Sequence, residues 1–354
     1  MNILFLGEYS GFYNNLAEGF KNKGHNVTLI SDGDNFKNYN RDINIGSNNK
    51  NPFIRQIIRI IKELRCVNKI KGYDVVFIIN PLVFSRFNFL KFLLTYVISN
   101  NKKVIYTVAG DDSIFWKAFR DNKYEYSPHL GALKDEGKSK SLWESRRCKN
   151  ITEWFIKKNI SIVTCCVEYK IAYDSYQIPN IFIPLPIKLN IVEHTSLTKK
   201  INILHGVQSK RKGFKGNAII DEAMELIVQK YSSIIDYKRI EDLPFHEYSK
   251  LMNEADIIFD QVFSYGPGMN AIDGLAKGKV VIGGFESIHK NNLGVNYDYI
   301  VNVKPNVTDV YDKVELLLKN RGLIDEIQQK GKEYISQYHG IDKILDLYIN
   351  IIKN

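Results

Sequence analysis

Apolar runs of strand length alternate with stretches of helical spacing along the whole chain. Asn2 to Leu6 is such a run, and Tyr13, Leu16, Ala17 and Phe20 then fall at i, i+3, i+4 and i+7 before Gly24 closes the helix. Asn26 to Ile30 completes a βαβ unit. Further strands are predicted at Asp74 to Ile79, Lys103 to Val108 and Ser161 to Cys166, and an apolar helix over Phe84 to Ile98. Residues 31–51, rich in Asn, Asp, Gly and Ser, read as loop. A helix follows in which Ile54, Ile57, Ile58 and Ile61 form the buried face and Arg55, Arg59 and Lys62 line another. A helix of that kind either lies on an anionic membrane or carries an ordinary solvated face. Residues 119–150, with weak periodicity, many charges and Arg146, Arg147 and Lys149 beside Trp143, read as an insertion or a mobile loop.

The pattern then starts again. Pro184 and Pro186 end the first half, residues 187–200 read as linker, and Ile201 to His205 repeats the Asn-Ile-Leu of the first strand. Two Rossmann-like halves are expected to face each other across a cleft. In the second half Ile219, Ile220, Ala223, Ile227 and Val228 form a helix face, and the chain is helical from about Val314 to its end.

The segment 255–284 organises the second half. Its apolar run, Ile257 to Phe259, ends in Asp260 and Gln261. Gly266, Pro267 and Gly268 then turn the chain into a helix whose apolar side is Met269, Ile272, Leu275 and Ala276. Gly278 stops this helix, and Lys279 to Ile282 re-enters the sheet. Unpaired N–H groups and the positive dipole end at the helix start form an anion site. Such turns also occur in α/β domains that bind nothing there.

With 354 residues, 44% of them apolar, the chain is long enough for two cores. Cys66, Cys148, Cys165 and Cys166 lack metal-ligand spacing and read as reduced core thiols of a cytoplasmic protein. The N-terminus reads as a first strand rather than a signal peptide, and no run of about 18 apolar residues predicts a membrane span. The net charge of +10 is uneven. Residues 1–200 carry 30 basic and 18 acidic side chains, and residues 201–354 carry 19 and 21. The first half therefore faces an anionic partner: an inner membrane surface, a lipid-linked pyrophosphate or nucleic acid. Within the acidic second half, residues 201–215 hold Lys210, Arg211, Lys212 and Lys215 and no acid. That cluster fits a bound pyrophosphate, or else a bare basic surface loop.

Five segments together resemble GT-B glycosyltransferases of the retaining, family-four-like kind. The order Asp260-Gln261, the glycine turn and the run from Ala271 to Gly278 resembles their donor-binding segment, which carries two acids eight positions apart. Asp273 takes the second position, which in the family holds the nucleotide ribose. The first falls on Tyr265, a departure from the pattern. The basic loop is similar to the one that clamps the donor diphosphate, with Arg211 and Lys215 the closest fits and Lys210 or Lys212 able to replace Arg211. Leu243 to Asp256 resembles the family's base-binding loop and following helix. The first loop, with Glu8 and Gly11, and the stretch Gly110-Asp111-Asp112 resemble the acceptor side of the cleft, although Asp111 and Asp112 also suit a helix N-cap.

The resemblance implies an α/β protein of GT-B fold, with two Rossmann-like domains facing a central cleft. It implies an acceptor domain at 1–190, a linker at 191–200, a nucleotide-sugar domain at 201–340, and a last helix at 341–354 crossing back to the first domain. The implied reaction is glycosyl transfer, with retention, from a nucleotide-sugar to a hydroxyl of a glycan or lipid-linked acceptor in surface polysaccharide synthesis, in the cytoplasm or at the inner membrane face. Arg211, Lys215 and Asp111 are then the catalytic candidates. Lys210, Lys212, Tyr265, Gly266, Gly268, Met269, Asn270 and Asp273 are the donor-binding candidates, and Glu8, Gly11 and Asp112 lie on the acceptor side. No metal and no cofactor is implied, because a helix N-terminus with Arg211 and Lys215 can neutralise the departing diphosphate. Two other readings remain open, a nucleotide-sugar epimerase of the same fold and a polyanion-binding protein. Nucleic acid is not expected, because the basic stretches are not interleaved with aromatics.

Overall fold

The computed structural model describes residues 1–34, 37–84, 91–137, 139–188 and 200–353, with the main chain alone for residues 134–136, 210 and 245. The predicted linker lies almost wholly outside the described residues, as do positions 85–90 of the predicted apolar helix and the side chain of Lys210. The described part of that helix runs from Lys91 to Ser99.

Two parallel sheets are formed. The first contains β1 (Asn2–Leu6), β2 (Asn26–Ser31), β3 (Ile43–Asn44), β4 (Val75–Ile78), β5 (Lys103–Val108), β6 (Ser161–Thr164) and β7 (Ile181–Phe182), in the order β3-β2-β1-β4-β5-β6-β7. The second contains β8 (Ile201–Val207), β9 (Ile235–Glu241), β10 (Ile257–Phe259), β11 (Val280–Gly283) and β12 (Val301–Asn302), in the order β12-β11-β10-β8-β9. Strands β1, β4, β10 and β11 are buried at every position except Asn2 because helices cover both faces, which is why they read as unbroken apolar runs. The strand order reverses between β1 and β4 and between β8 and β10. At such switch points the loops leaving the carboxyl ends part and open a crevice.

The first helix, Phe12–Asn22, buries Tyr13, Leu16, Ala17 and Phe20. The last helix, Ile341–Lys353, returns to the first sheet. Ile341 and Leu345 pack against Gly19, the Tyr348 ring meets Phe77 edge-on at 5.5 Å, and Lys103 donates to the Ile351 carbonyl at 2.5 Å.

Two expectations are corrected. The helix Pro52–Arg65 presents its isoleucines outward: Ile54, Ile57 and Ile61 are exposed, and Ile58 is half-buried. Its cationic side is the anchored one, because Arg59 bonds Glu63 at 2.9 Å, Asp32 at 3.2 Å and the Val83 carbonyl at 3.1 Å, while Lys62 donates to the Gly46 carbonyl. Of the two readings of segment 119–150, the mobile loop is the one replaced, because the segment holds the helix His129–Glu136 and the start of Arg146–Lys157. Its periodicity is weak because it packs on two sides, against the first domain and against the second. Val228 is likewise 36% exposed, and Met224 takes its expected place in the second core.

Candidate active site

The loops that leave the two switch points meet in one cleft. On the second domain, β10 leads into Asp260, and the chain turns through Gly268 into the helix Met269–Ala276. Asp260, 6% exposed, accepts from the Gly268 N–H at 3.2 Å. A Cβ on Gly268 would stand 3.3 Å from that carboxylate. The N–H groups of Met269 and Asn270 open the helix and have no carbonyl one turn before them. The Asn270 side chain donates to the Phe259 carbonyl at 3.3 Å and also toward the hydroxyl oxygen of Tyr248, whose ring fills the space over Gly206. Gly266 serves packing: a Cβ there would lie 2.5 Å from the ring of buried His289.

Beyond β8, the chain makes a 3-10 turn over Ser209–Arg211 and a helical turn over Lys212–Lys215, closed by Gly216 at φ 74°. Arg211 lies exposed over the Phe214 ring, 4.1 Å from its centroid. Lys212 pairs with Glu241 at 3.0 Å, outside the cleft cluster. Lys215 is half-buried, and its pKa is lowered first by desolvation; Asp260 opposes the shift, while Arg211 and Lys37 of the first domain add to it. Lys215, Arg211 and Lys37 thus lie within electrostatic reach of one another near Asp260, and of the three Lys37 is paired with Asp34.

Asp273 sits on the second turn of the helix, with its Oδ2 2.8 Å from Lys277. It is one of the charges that face Tyr39 of the first domain, together with Glu8 and Asp34. Tyr265 is 8% exposed and belongs to the contact between domains: its ring stacks on Tyr126 at 4.6 Å and 6°, and its hydroxyl bonds the Tyr126 main chain at 3.1 Å. A carboxylate does reach this turn, from the other domain. Glu168 accepts from the Ser264 hydroxyl and the Tyr265 N–H, both at 2.6 Å, and from the Gly266 N–H at 3.3 Å.

On the first domain, Glu8 follows β1 and is 2% exposed. Its Oε2 accepts from the Asn14 N–H at 2.7 Å and the Asn14 side chain at 2.8 Å. Its Oε1 is buried and has no hydrogen-bond partner among the described residues. Burial pushes the pKa up to about 7 against those hydrogen bonds, helped by the charge of Asp34. Gly11 stands at φ 81° against the Tyr39 ring, in a conformation that glycine adopts without strain. Asp111 accepts from the Trp116 indole at 2.8 Å and is half-buried at the cleft edge. Asp112 is fully buried. It caps the helix Ser113–Arg120 through the Ile114 and Phe115 N–H groups, and it also accepts from the Tyr106 and Tyr173 hydroxyls at 2.7 and 2.5 Å. Its carboxylate is thus held inside the first domain.

Sequence reasoning missed Lys37, Tyr39, Tyr248 and Glu168. Lys37 and Tyr39 lie in a stretch whose composition reads only as loop, and Lys37 is held by Asp34 at 2.7 Å and the Ser10 hydroxyl at 2.8 Å. Asp260 was visible as the strand end, but not its bond to Gly268.

No protein-family model and no curated protein matches the chain. Solved structures do. Sucrose-phosphate synthase from Thermosynechococcus elongatus superposes with a TM-score of 0.65 at 13% identity over 100% of both chains. HepE from Anabaena, in complex with UDP-glucose, gives 0.64 at 10% identity over 100% of this chain and 99% of its own. WaaG, a glycosyltransferase involved in lipopolysaccharide biosynthesis, gives 0.58 at 12% over 99% of each. With two parallel sheets of seven and five strands and a cleft at their facing switch points, the chain has the GT-B fold.

Proposed function

We propose that the chain is a glycosyltransferase that moves a sugar from a nucleoside diphosphate sugar to a hydroxyl of a lipid-linked glycan, with retention, at the inner face of a membrane. The observation that carries this is the cluster of Arg211 and Lys215 beside the open N-terminus of the Met269 helix, facing Lys37 across the cleft. A diphosphate supplies the negative charge that this cluster lacks. HepE was captured with UDP-glucose, so UDP is the first nucleotide to test.

In this reading Arg211 and Lys215 grip the diphosphate, and the N–H groups of Met269 and Asn270 meet one phosphate. Asp273 holds the ribose through the oxygen that Lys277 leaves free, and Tyr248 borders the nucleoside. Asp111 and Glu8 line the acceptor side. The bond from the anomeric carbon to the phosphate oxygen breaks as the acceptor oxygen bonds that carbon, and the acceptor proton passes to the leaving phosphate. No side-chain base and no metal is required, since the cations and helix dipole offset the charge that develops on the leaving group.

Calorimetric titration with UDP tests the clamp. Arg211→Ala and Lys215→Ala should fold as the parent does and each lose about 1.5–3 kcal/mol of affinity, roughly 10- to 150-fold. Unchanged affinity in both variants would remove the diphosphate site. Sugar transfer is tested by incubating UDP-sugars with and without acceptor extracts; conversion of the UDP-sugar in the absence of any acceptor would instead indicate an epimerase.

A further inference from the structure

The helix Pro52–Arg65 is amphipathic the wrong way round for a soluble domain. Phe53 is 74% exposed, and Ile54, Ile57, Ile61 and Leu64 are each between 40% and 43% exposed. At 100° per residue these five positions form one stripe, along a helix of about 21 Å. The opposite side is anchored by the Arg59 network with Glu63, Asp32 and the Val83 carbonyl. Turning the helix to bury its isoleucines would break those bonds and strand Glu63, which is fully buried. The apolar stripe therefore stays outside, and water is a poor neighbour for it.

Its surroundings select the partner. From Lys50 to Lys71 the chain carries seven basic residues and one acid, Glu63. Lys50, Arg55, Arg65, Lys69 and Lys71 are exposed, and among the described residues none of them has an ion-pair partner. An apolar ridge in a field of unneutralised cations matches a bilayer of anionic lipid, in which the ridge enters the acyl boundary and the cations meet phosphate. A second copy of the chain is a poorer fit, because a two-fold contact would bring the same cations face to face. Place matters too. Asp32 follows β2 and Val83 lies beyond β4, so Arg59 ties the helix to the carboxyl rim of the first sheet, the rim that also carries Glu8.

We propose that the exposed stripe Phe53, Ile54, Ile57, Ile61 and Leu64, with Arg55 and Arg65, docks the first domain onto an anionic phospholipid surface and so holds the cleft at its edge. The docking stands on its own geometry; that it presents a lipid-linked acceptor to the cleft rests on the glycosyltransferase reading.

The full chain would be sedimented with vesicles of phosphatidylcholine, alone or with about 30 mol% phosphatidylglycerol, at low and high salt. The parent should partition onto the anionic vesicles about tenfold or more in excess of the neutral ones, with a loss at high salt. Phe53→Ser/Ile57→Ser and Arg55→Glu/Arg65→Glu should each lower that partition about tenfold while UDP affinity is unchanged, because neither pair touches the cleft. Equal binding to neutral and anionic vesicles, or binding unaltered in both variants, overturns the proposal. So does a dimer in sedimentation velocity that the serine variant converts to monomer. Vesicle binding without any UDP affinity would uphold the surface and count against the donor site, so the two readings fail separately.

Discussion

Glu8 is a carboxyl group held almost entirely out of water, and its folded pKa of about 7 lies well above the ordinary value of 4.5. The sign follows. Below 4.5 the group is protonated in both states; as pH rises through 7 the folded protein must carry a buried charge that the unfolded chain carries in water. Glu8→Gln keeps an oxygen for the Asn14 N–H and removes that charge. The variant should gain about 1–3 kcal/mol of stability at pH 8 and nothing at pH 4.5, measured by urea unfolding at both pH values. An equal effect at the two would mean that Glu8 is ionised without penalty. At this scale the sequence is legible where a contact is local. Asp260 and Gly268 are eight positions apart and read as one turn, and Asp112 reads as an N-cap because its partners are two and three residues away. Glu168 is 97 residues from the Tyr265 N–H that it accepts, and no spacing announces such a pair.

Elements were legible when one neighbour decides their face. The helix Phe12–Asn22 packs on a single sheet, so its apolar spacing alone identifies what it buries. The helix Pro52–Arg65 has equally clean spacing, yet the direction of its apolar face depends on Asp32 and Val83, which its own sequence does not contain. Segment 119–150 failed differently, because its anchors are aromatic rather than periodic. His129 is fully buried against Trp116 at 4.3 Å, Phe115 at 4.4 Å and Phe119 at 4.7 Å, and it bonds the Ser127 hydroxyl. Desolvation lowers its pKa to about 3, with Arg120 assisting and Glu144 opposing. A base held neutral in this way contributes stability above its ordinary pKa of 6.5 and loses it as pH falls toward 3. At pH 5 that loss is about 2 kcal/mol relative to pH 8, and His129→Phe should abolish it. Buried His289 and His339, lowered to about 3 and 4, shift the parent and the variant alike. The measurement is the difference in urea stability between parent and variant at the two pH values; a constant difference would place a charged His129 in the fold.

Over the whole molecule, alternating strands and helices and the second Asn-Ile-Leu start made the two halves readable, but not how they close on each other. Closure is a surface property of both. The helix His129–Glu136 of the first domain comes so near the basic loop that a Cβ on Gly131 would lie 2.1 Å from the Gly213 carbonyl oxygen. Beside it, the Tyr126 hydroxyl bonds Glu286 at 2.8 Å, Lys304 pairs with Glu286 at 3.2 Å, and Glu168 caps the turn from Ser264 to Gly266. These contacts tie the turn that starts the Met269 helix, and the loop that carries Arg211 and Lys215, to the first domain. If transfer needs the two halves together, the glycine at that approach controls rate more than nucleotide binding. Gly131→Val should push the halves apart, raise the radius of gyration in solution scattering, and lower turnover about tenfold or more. UDP affinity should fall far less than turnover, because in the proposed site Arg211, Lys215 and Asp273 all belong to the second domain and only Lys37 faces them from the first. Parental turnover in a variant that scattering shows to be open would mean that closure at this contact is not part of the reaction.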